Sequence, residues 1–180
     1  MADLKKSIGK MLTFANGNQI TLKQYGKDHE GEYLILEHLI SKPGAINGPH
    51  WHPVLEEKFT IVEGNMRFRI DGKTLDIGKG EHVLIRPKQV HQAWSVSDES
   101  VRMIHEIRPP GLHWSMFELL HKLEAEGKLN AKGIPRNPLW MGLAWETMDG
   151  FIVGPPEWVQ RVFLGLFAKL ASAVGYTYEK

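Results

Sequence analysis

The chain has 180 residues, of which 42% are hydrophobic and 24% charged, and 22 Lys and Arg face 21 Asp and Glu. This length predicts one domain with at most an appendage, and the even charge argues against a nucleic-acid partner. The absence of cysteine excludes disulfides, thiolate metal sites and a cysteine nucleophile. No apolar run is long enough to cross a membrane and none follows Met1, so we expect a soluble, cytoplasmic protein without a membrane partner.

Residues 11–108 consist of short alternating runs separated by Gly, Pro, Asn and Asp, a pattern typical of antiparallel strands. The alternation is clearest around Gly64, where Phe59 and Ile61 share one side before it and Met66 and Phe68 share one after it. Strands with one apolar and one polar face predict a sandwich or barrel that encloses a single apolar interior. We predict strands over Asn18–Tyr25, Glu32–Ser41, His50–His52, Glu57–Glu63, Asn65–Asp71, Glu81–Arg86 and Ser100–Arg108.

The sequence pattern changes at Pro109-Pro110-Gly111, from the alternation typical of strands to the spacing typical of helices. We therefore divide the chain into a β domain over residues 1–110 and a helical extension over residues 111–180. In the extension, Ser115 followed by Glu118 forms a capping-box pattern that predicts the start of a first helix, and Gly127 suits its end.

Two more helices are predicted in the extension. Asn137 and Pro138 supply an N-cap and a first-turn proline for a helix that runs to about Met148, and Pro155-Pro156 opens the third. Apolar residues recur at four-residue steps along the third helix and give it a wide apolar face. They are Trp158, Val159, Val162, Phe163, Leu166, Phe167, Leu170 and Val174.

The extension carries ten of the 17 aromatic residues, too many to leave exposed to water. We expect it to pack on the β domain or on a second subunit, and we predict a homodimer. Four of its aromatic residues could also form a lid over a pocket at the mouth of a barrel, although packing between helices and barrel, or a dimer interface, is the favoured interpretation. These are Trp114, Phe117, Trp140 and Trp145.

His50 and His52 lie two residues apart on a predicted strand, so their imidazoles face the same side. That arrangement suits metal ligands, although a His-x-His pair alone is a weak signal. The longer pattern is far more specific, because Gly44 precedes the pair while Glu57 and Gly64 follow it.

These five residues resemble the first motif of the cupin superfamily, in which Gly, His-x-His, Glu and a second Gly follow at fixed spacings, and they match it without a gap. The second cupin motif is matched more loosely by Gly72, Gly78, Gly80 and His91. Gly78 stands where proline is usual, and Ser95 stands where the motif has Asn. These departures concern turns rather than ligands.

The resemblance covers roughly residues 30–108, and the helical extension lies outside it. Small bacterial cupins with a similar helical extension are the most similar type. The resemblance implies a mostly β fold, an antiparallel jelly-roll barrel followed here by about three α-helices. It also implies that His50, His52, Glu57 and His91 are the ligands of one divalent transition-metal ion per chain.

The residues themselves agree with this ligand set. Glu57 is preferred to Glu56 because it shares a side of its strand with Phe59 and Ile61, the apolar and interior side. Three neutral imidazoles and one carboxylate suit Fe, Mn, Ni, Zn or Cu and disfavour Ca and Mg. Four ligands on an octahedral ion leave about two positions for water, dioxygen, or a chelating enolate or carboxylate.

The other histidines are first interpreted as ordinary structural residues. His38 and His105 lie in apolar strands and are expected in the core. If His105 faces the interior, it is the candidate for supporting a ligand or transferring a proton, and we predict it as the catalytic residue. His29, His113 and His121 are expected on the solvated surface.

Three functions remain open. The first is a metal-dependent oxygenase that acts on a small-molecule substrate. The second is an isomerase, epimerase or lyase in which the metal is a Lewis acid and His105 moves a proton. The third is a noncatalytic binding or sensor domain. The first two need the same ligands, so the sequence alone does not separate them.

Overall fold

The structure is a computed structural model that describes residues 4–96 and 98–178. It is mostly β, with two antiparallel sheets, three α-helices and a short 3-10 helix (Leu4–Ser7) over those residues. The strands are β1 (Met11–Thr13), β2 (Gln19–Asp28), β3 (Gly31–Ile40), β4 (Gly44–Ala45), β5 (His50–Trp51), β6 (Glu56–Glu63), β7 (Asn65–Ile70), β8 (Lys73–Gly78), β9 (His82–Ile85), β10 (His91–Ser95), β11 (Val101–Arg108) and β12 (Phe151–Ile152). The helices are α1 (His113–Ala125), α2 (Pro138–Met148) and α3 (Glu157–Ala173).

The first sheet has the strand order β1-β2-β3-β11-β6-β9, and the second has the order β12-β5-β10-β7-β8, with β4 also paired to β10. The chain passes from the first sheet to the second between β6 and β7, at Gly64. Gly64 has a φ of 79°, and a Cβ there would lie 2.9 Å from Cγ2 of Val101. Only glycine fits this crossing without a shift of its neighbours.

The main hydrophobic core lies between the two sheets and confirms the predicted alternation around Gly64. Phe59 and Ile61 contribute from the first sheet, and Met66 and Phe68 from the second. A second cluster of buried residues includes Leu22, Leu34, Leu36, Leu55, Ile107 and, from α1, Trp114. The helical extension therefore shares a core with the strands.

All seven predicted strands are present, with bounds shifted by up to three residues, and the structure adds β1, β4, β8, β10 and β12. Three of the added strands have only two or three residues, too few to show a period. In β10 the side chains that face inward are His91, Ala93 and Ser95. These inward-facing residues are polar or small, so β10 lacks the hydrophobic alternation that identified the other strands.

The helix predictions are confirmed for α2 and α3 and wrong at the start of α1. The Asn137 side chain accepts a hydrogen bond from the backbone N–H of Leu139 and caps α2 as expected. The capping box at Ser115 is not formed, because α1 begins at His113 after Leu112, without a side-chain cap. Ser115 is buried within the first turn. Gly127, just after α1, has the expected left-handed φ of 67°.

The three helices pack on one another and on the strands. α2 and α3 approach so closely at Gly142 that a Cβ there would lie 2.5 Å from the backbone nitrogen of Ala168. After α2 the chain returns to the second sheet as β12, which pairs with β5. No helix in the described residues is long and apolar enough to cross a membrane. The cytoplasmic location stays a prediction.

The apolar face of α3 points away from the rest of the chain. Its buried side carries Gln160, Ala168 and Ala171. The opposite side presents an apolar stripe whose members are 46–66% exposed, namely Trp158, Val162, Phe163, Leu166, Leu170 and Val174. The prediction of a wide apolar face is confirmed, but this face does not pack on the β domain.

Candidate metal centre

The four predicted ligands converge between the two sheets. The three histidines lie in or beside strands of the second sheet, and Glu57 lies in the first. His91 on β10 lies directly opposite His50 on β5, and His52 follows two residues later on the same side. Glu57 reaches the same place from β6. One ligand atom from each of the four residues lies within 4.8 Å of the other three.

Each of the three imidazoles is fixed from behind by a backbone carbonyl that pairs with its Nδ1. A carbonyl oxygen can only accept, so each Nδ1 carries the proton and each Nε2 keeps a free lone pair. Metal-ligating histidines are commonly oriented in this way. The Nδ1-to-oxygen distances are 2.9 Å from His50 to Gly48, 2.9 Å from His52 to Asp149 and 3.0 Å from His91 to Gln89.

Three buried donor atoms at the centre have no hydrogen-bond partner among the described residues. They are Nε2 of His52, Oε2 of Glu57 and Nε2 of His91. His91 Nε2 lies 2.9 Å and His52 Nε2 3.5 Å from Glu57 Oε2, and neither contact is a hydrogen bond. A buried polar atom without a partner costs about 1–3 kcal/mol. Converging lone pairs on nitrogen and oxygen therefore fit a divalent transition-metal ion.

A chain of side chains holds Glu57 in place. The Nε2–H of His105 donates to Glu57 Oε1 at 2.9 Å, and His105 Nδ1 lies 3.3 Å from His38 Nε2. The His105 ring also stacks on Phe59, with ring centroids 4.0 Å apart. His105 and His38 are buried, as predicted for core residues. Both nitrogens of His105 are engaged, so it positions the carboxylate, and its catalytic role stays a prediction.

The electrostatics favour neutral His50 and His52 and an ionised Glu57, which are the forms that bind metal. Burial, aided by His91, lowers the pKa of His50 to about 4, and burial also lowers the pKa of His52. Burial alone would raise the pKa of the Glu57 carboxyl, but His105 and His91 outweigh it and hold that pKa well below its usual range. For His91, burial lowers the pKa, but Glu57 outweighs burial and the net pKa is raised.

His113 is a residue of this site that the sequence predictions placed on the surface. It is only 4% exposed, and its ring centroid lies 5.8 Å from that of His52 and 5.8 Å from that of His105. Burial lowers its pKa to about 3. The prediction is wrong because α1 begins three residues earlier than predicted, after Leu112 instead of after Ser115. The four-residue spacing to Phe117, whose ring lies 5.4 Å from it, was the available signal.

The remaining surface predictions fare differently. His29 is exposed, as expected. His121 is half-buried: its Nε2 donates to the carbonyl of Thr13 at 3.1 Å, and its ring meets Phe14 edge-on. Glu56 is half-buried beside a buried Glu57, which agrees with the predicted direction of the two side chains.

The helical extension reaches the metal ligands through its backbone. Asp149, which ends α2 in the left-handed conformation with φ 52°, supplies the carbonyl that holds His52. A Cβ at Gly150 would lie 2.7 Å from His52 Nδ1, so only glycine allows this approach. Two residues later, Ile152 pairs with His50. These contacts join residues about 100 positions apart and leave no trace in local spacing.

The four aromatic residues predicted as a lid do not gather in one place, and the lid stays a prediction. Trp114 belongs to the second cluster of buried residues, with Leu22 and Leu34. Trp140 belongs to a third cluster, which is formed by residues of the helices. Trp145 meets Phe151 edge-on, and Phe117 contacts the rings of His38 and His113. The parts of the extension that come closest to the ligands are instead His113 and the Asp149 carbonyl.

Comparisons with known proteins agree with this geometry. The cupin domain family matches residues 38–106. Polyketide synthase CurC of Streptomyces cyaneus is 31% identical over 70 residues, which are 39% of this chain and 46% of that protein. This chain therefore spans just under half the length of that curated relative.

Solved structures also align with about half of the chain. KdgF from Halomonas sp. is 13% identical with a TM-score of 0.46, over 54% of this chain and 84% of that one. An RmlC-like cupin from Shewanella frigidimarina is 17% identical with a TM-score of 0.46, over 55% and 82% of the two chains. The cupin domain family match over residues 38–106 contains His50, His52, Glu57 and His91, so this segment of the chain is a cupin domain.

Proposed function

We propose that this protein is a metal-dependent oxygenase that acts on a small organic molecule. In this proposal His50, His52, Glu57 and His91 hold one divalent transition-metal ion, and the two facing sheets form the jelly-roll barrel that the cupin resemblance implies. The observation that carries the proposal is the convergence of three free imidazole nitrogens and one carboxylate oxygen, each fixed from behind.

The surrounding residues fit this role. A bound ion such as Fe(II) would supply Lewis acidity and about two coordination positions for an organic oxygen donor and dioxygen. His105 directs Oε2 of Glu57 towards the centre by holding Oε1. Phe59 and the apolar core beside it keep water from that side. Because water is excluded there, every polar contact made with a bound molecule is stronger.

The substrate class we propose is a small enolisable dicarbonyl compound or a phenol. The similarity to a protein named a polyketide synthase supports it over the matched 70 residues. Polyketide chains contain 1,3-dicarbonyl units, whose enolates chelate divalent metals through two oxygens. Such a chelate would fit two adjacent open positions of a four-ligand site.

An isomerase, epimerase or lyase is the second candidate, and one observation favours it. His38, His105 and Glu57 form a buried chain of hydrogen-bonding groups that ends at the centre. Such a chain can hold or pass a proton while a metal polarises a carbonyl. The noncatalytic binding domain is the third possibility, and it predicts metal binding without turnover.

We also propose a homodimer in which the apolar stripe of α3 packs against that of a second copy. Six large apolar side chains half exposed on one helix exceed what a monomer ordinarily leaves in water. None of the six carries a charge, and the exposed Lys169 on the same face can extend its amine from a twofold interface to solvent. The charged pair Arg161 and Glu157 on the same helix is already satisfied within the chain.

The metal-binding proposal predicts about one transition-metal ion per chain in the purified protein. His91→Ala or Glu57→Gln should reduce this stoichiometry to well below one, because each removes a buried ligand atom. Glu56→Gln and His82→Ala are the matched controls, since both residues lie outside the cluster and His82 is exposed. Elemental analysis of folded protein, checked by circular dichroism, measures it. Unchanged stoichiometry in folded His91→Ala would show that the ligand assignment is wrong.

The oxygenase proposal predicts oxygen uptake by the Fe(II)-loaded protein with at least one diketone, phenol or thiol of a small panel. We expect His50→Ala to lower that rate at least tenfold, which corresponds to about 1.4 kcal/mol of lost transition-state stabilisation. An oxygen electrode follows the uptake. Solvent deuterium exchange into the same compounds under nitrogen, faster than without protein and not accompanied by oxygen uptake in air, would contradict the oxygenase and support the isomerase class. Neither activity in metal-loaded protein would support the binding domain.

The homodimer proposal predicts a species of about 41 kDa, twice the chain mass of 20.5 kDa, in sedimentation at micromolar concentration. Phe163→Asp should shift it to the monomer mass, because it places a charge in the centre of the stripe. Ser172→Asp is the control, as Ser172 is exposed on α3 outside the stripe. A wild-type species of 20.5 kDa would contradict the proposal.

A further inference from the structure

His113 is a buried imidazole beside the metal ligands that is not itself one of the four converging donors. It enters from the first turn of α1, in the helical extension, whereas the proposed ligands all lie in or beside strands of the two sheets. Its ring is surrounded by His52, His105 and Phe117, at centroid distances of 5.8, 5.8 and 5.4 Å. The extension thus places a hydrogen-bonding group against the centre.

The Nδ1 atom of His113 is buried and has no hydrogen-bond partner among the described residues. The neighbouring imidazoles differ in this respect, since Nδ1 of His50, His52 and His91 each meets a carbonyl. Buried polar atoms are rarely left unsatisfied, because each loses its hydration without compensation. An unpartnered nitrogen at the edge of a binding site therefore points to a ligand that completes it.

We propose that His113 is a substrate-binding residue whose Nδ1 hydrogen-bonds an oxygen of the enolate or carboxylate bound at the metal centre. This inference rests on the proposed function, because the bound molecule is the one that the metal would hold. The distances separate its role from that of His105, which contacts Glu57 directly and acts through it. His113 would contact the substrate itself and select molecules with a second oxygen within its reach.

The inference gives the extension a chemical role in choosing the substrate. Arg108 ends β11, the last strand of the first sheet in chain order, and only four residues separate it from His113. The backbone N–H of His113 bonds the carbonyl of Pro110 at 3.1 Å, which fixes the start of α1 as the chain leaves the sheet. The position of this imidazole thus depends on the short turn that joins the two parts of the chain.

The test uses the full chain loaded with Co(II) and titrated with 2,4-pentanedione, a chelating enolate, while the visible absorption bands of cobalt report binding. We compare wild type with His113→Leu and His113→Asn. The Asn side chain places a polar atom near the former Nδ1 but removes the ring. His121→Asn, a histidine on the same helix outside the cluster, is the matched control.

We expect all four proteins to hold about one Co(II) per chain. His113→Leu should weaken diketonate binding by about 10- to 100-fold, the range for a lost hydrogen bond to a charged group. His113→Asn should stay within about threefold of wild type, and His121→Asn should match it.

Three results would overturn the inference while leaving the metal site intact: equal affinity in His113→Leu and wild type, equal losses in the Leu and Asn variants, or no response of cobalt-loaded wild type to the diketone. Loss of cobalt from folded His113→Leu would also overturn it, by showing that the ring only supports the ligands. Wild type that takes up no cobalt would overturn the proposed metal centre itself and this inference with it.

Discussion

The site depends on one constraint, that three imidazoles and a carboxylate share a buried space in which their donor atoms lie within 4.8 Å of one another. Such a group is costly unless each member is held in a defined form and the inward atoms find a common partner. Backbone carbonyls fix the protons of His50, His52 and His91 on Nδ1, and His105 occupies one oxygen of Glu57. The atoms left over are those that a cation can satisfy.

The helical extension is part of this arrangement. The Asp149 carbonyl orients His52, Gly150 allows the backbone to approach it, and Ile152 pairs beside His50. Removing the extension would free the Nδ1 of His52 and expose the edge of β5. The same segment brings His113 against the ligands. The β domain supplies the donors, and the extension positions some of them and adds a polar group of its own.

Short-range patterns predicted much of this structure, and long-range contacts did not appear in them. The alternation around Gly64 predicted the core, and strand parity separated Glu57 from Glu56. The partner of His52 could not be predicted, because Asp149 lies 97 positions away and acts through a carbonyl that every residue has. His113 was misplaced because a capping pattern at Ser115 suggested a later helix start. At this position the burial of the first turn of α1 against the sheets determined where the helix begins, and the local capping pattern did not.

Diffraction data collected at the absorption edge of the metal, from crystals of the metal-loaded protein, test the central claim most directly. The metal-centre assignment predicts one anomalous peak per chain, about 2.1 Å from Nε2 of His50, His52 and His91 and from Oε2 of Glu57. The carbonyl contacts of the three Nδ1 atoms should remain in place. A peak elsewhere in the chain, or coordination through Nδ1 with those carbonyl contacts broken, would contradict it.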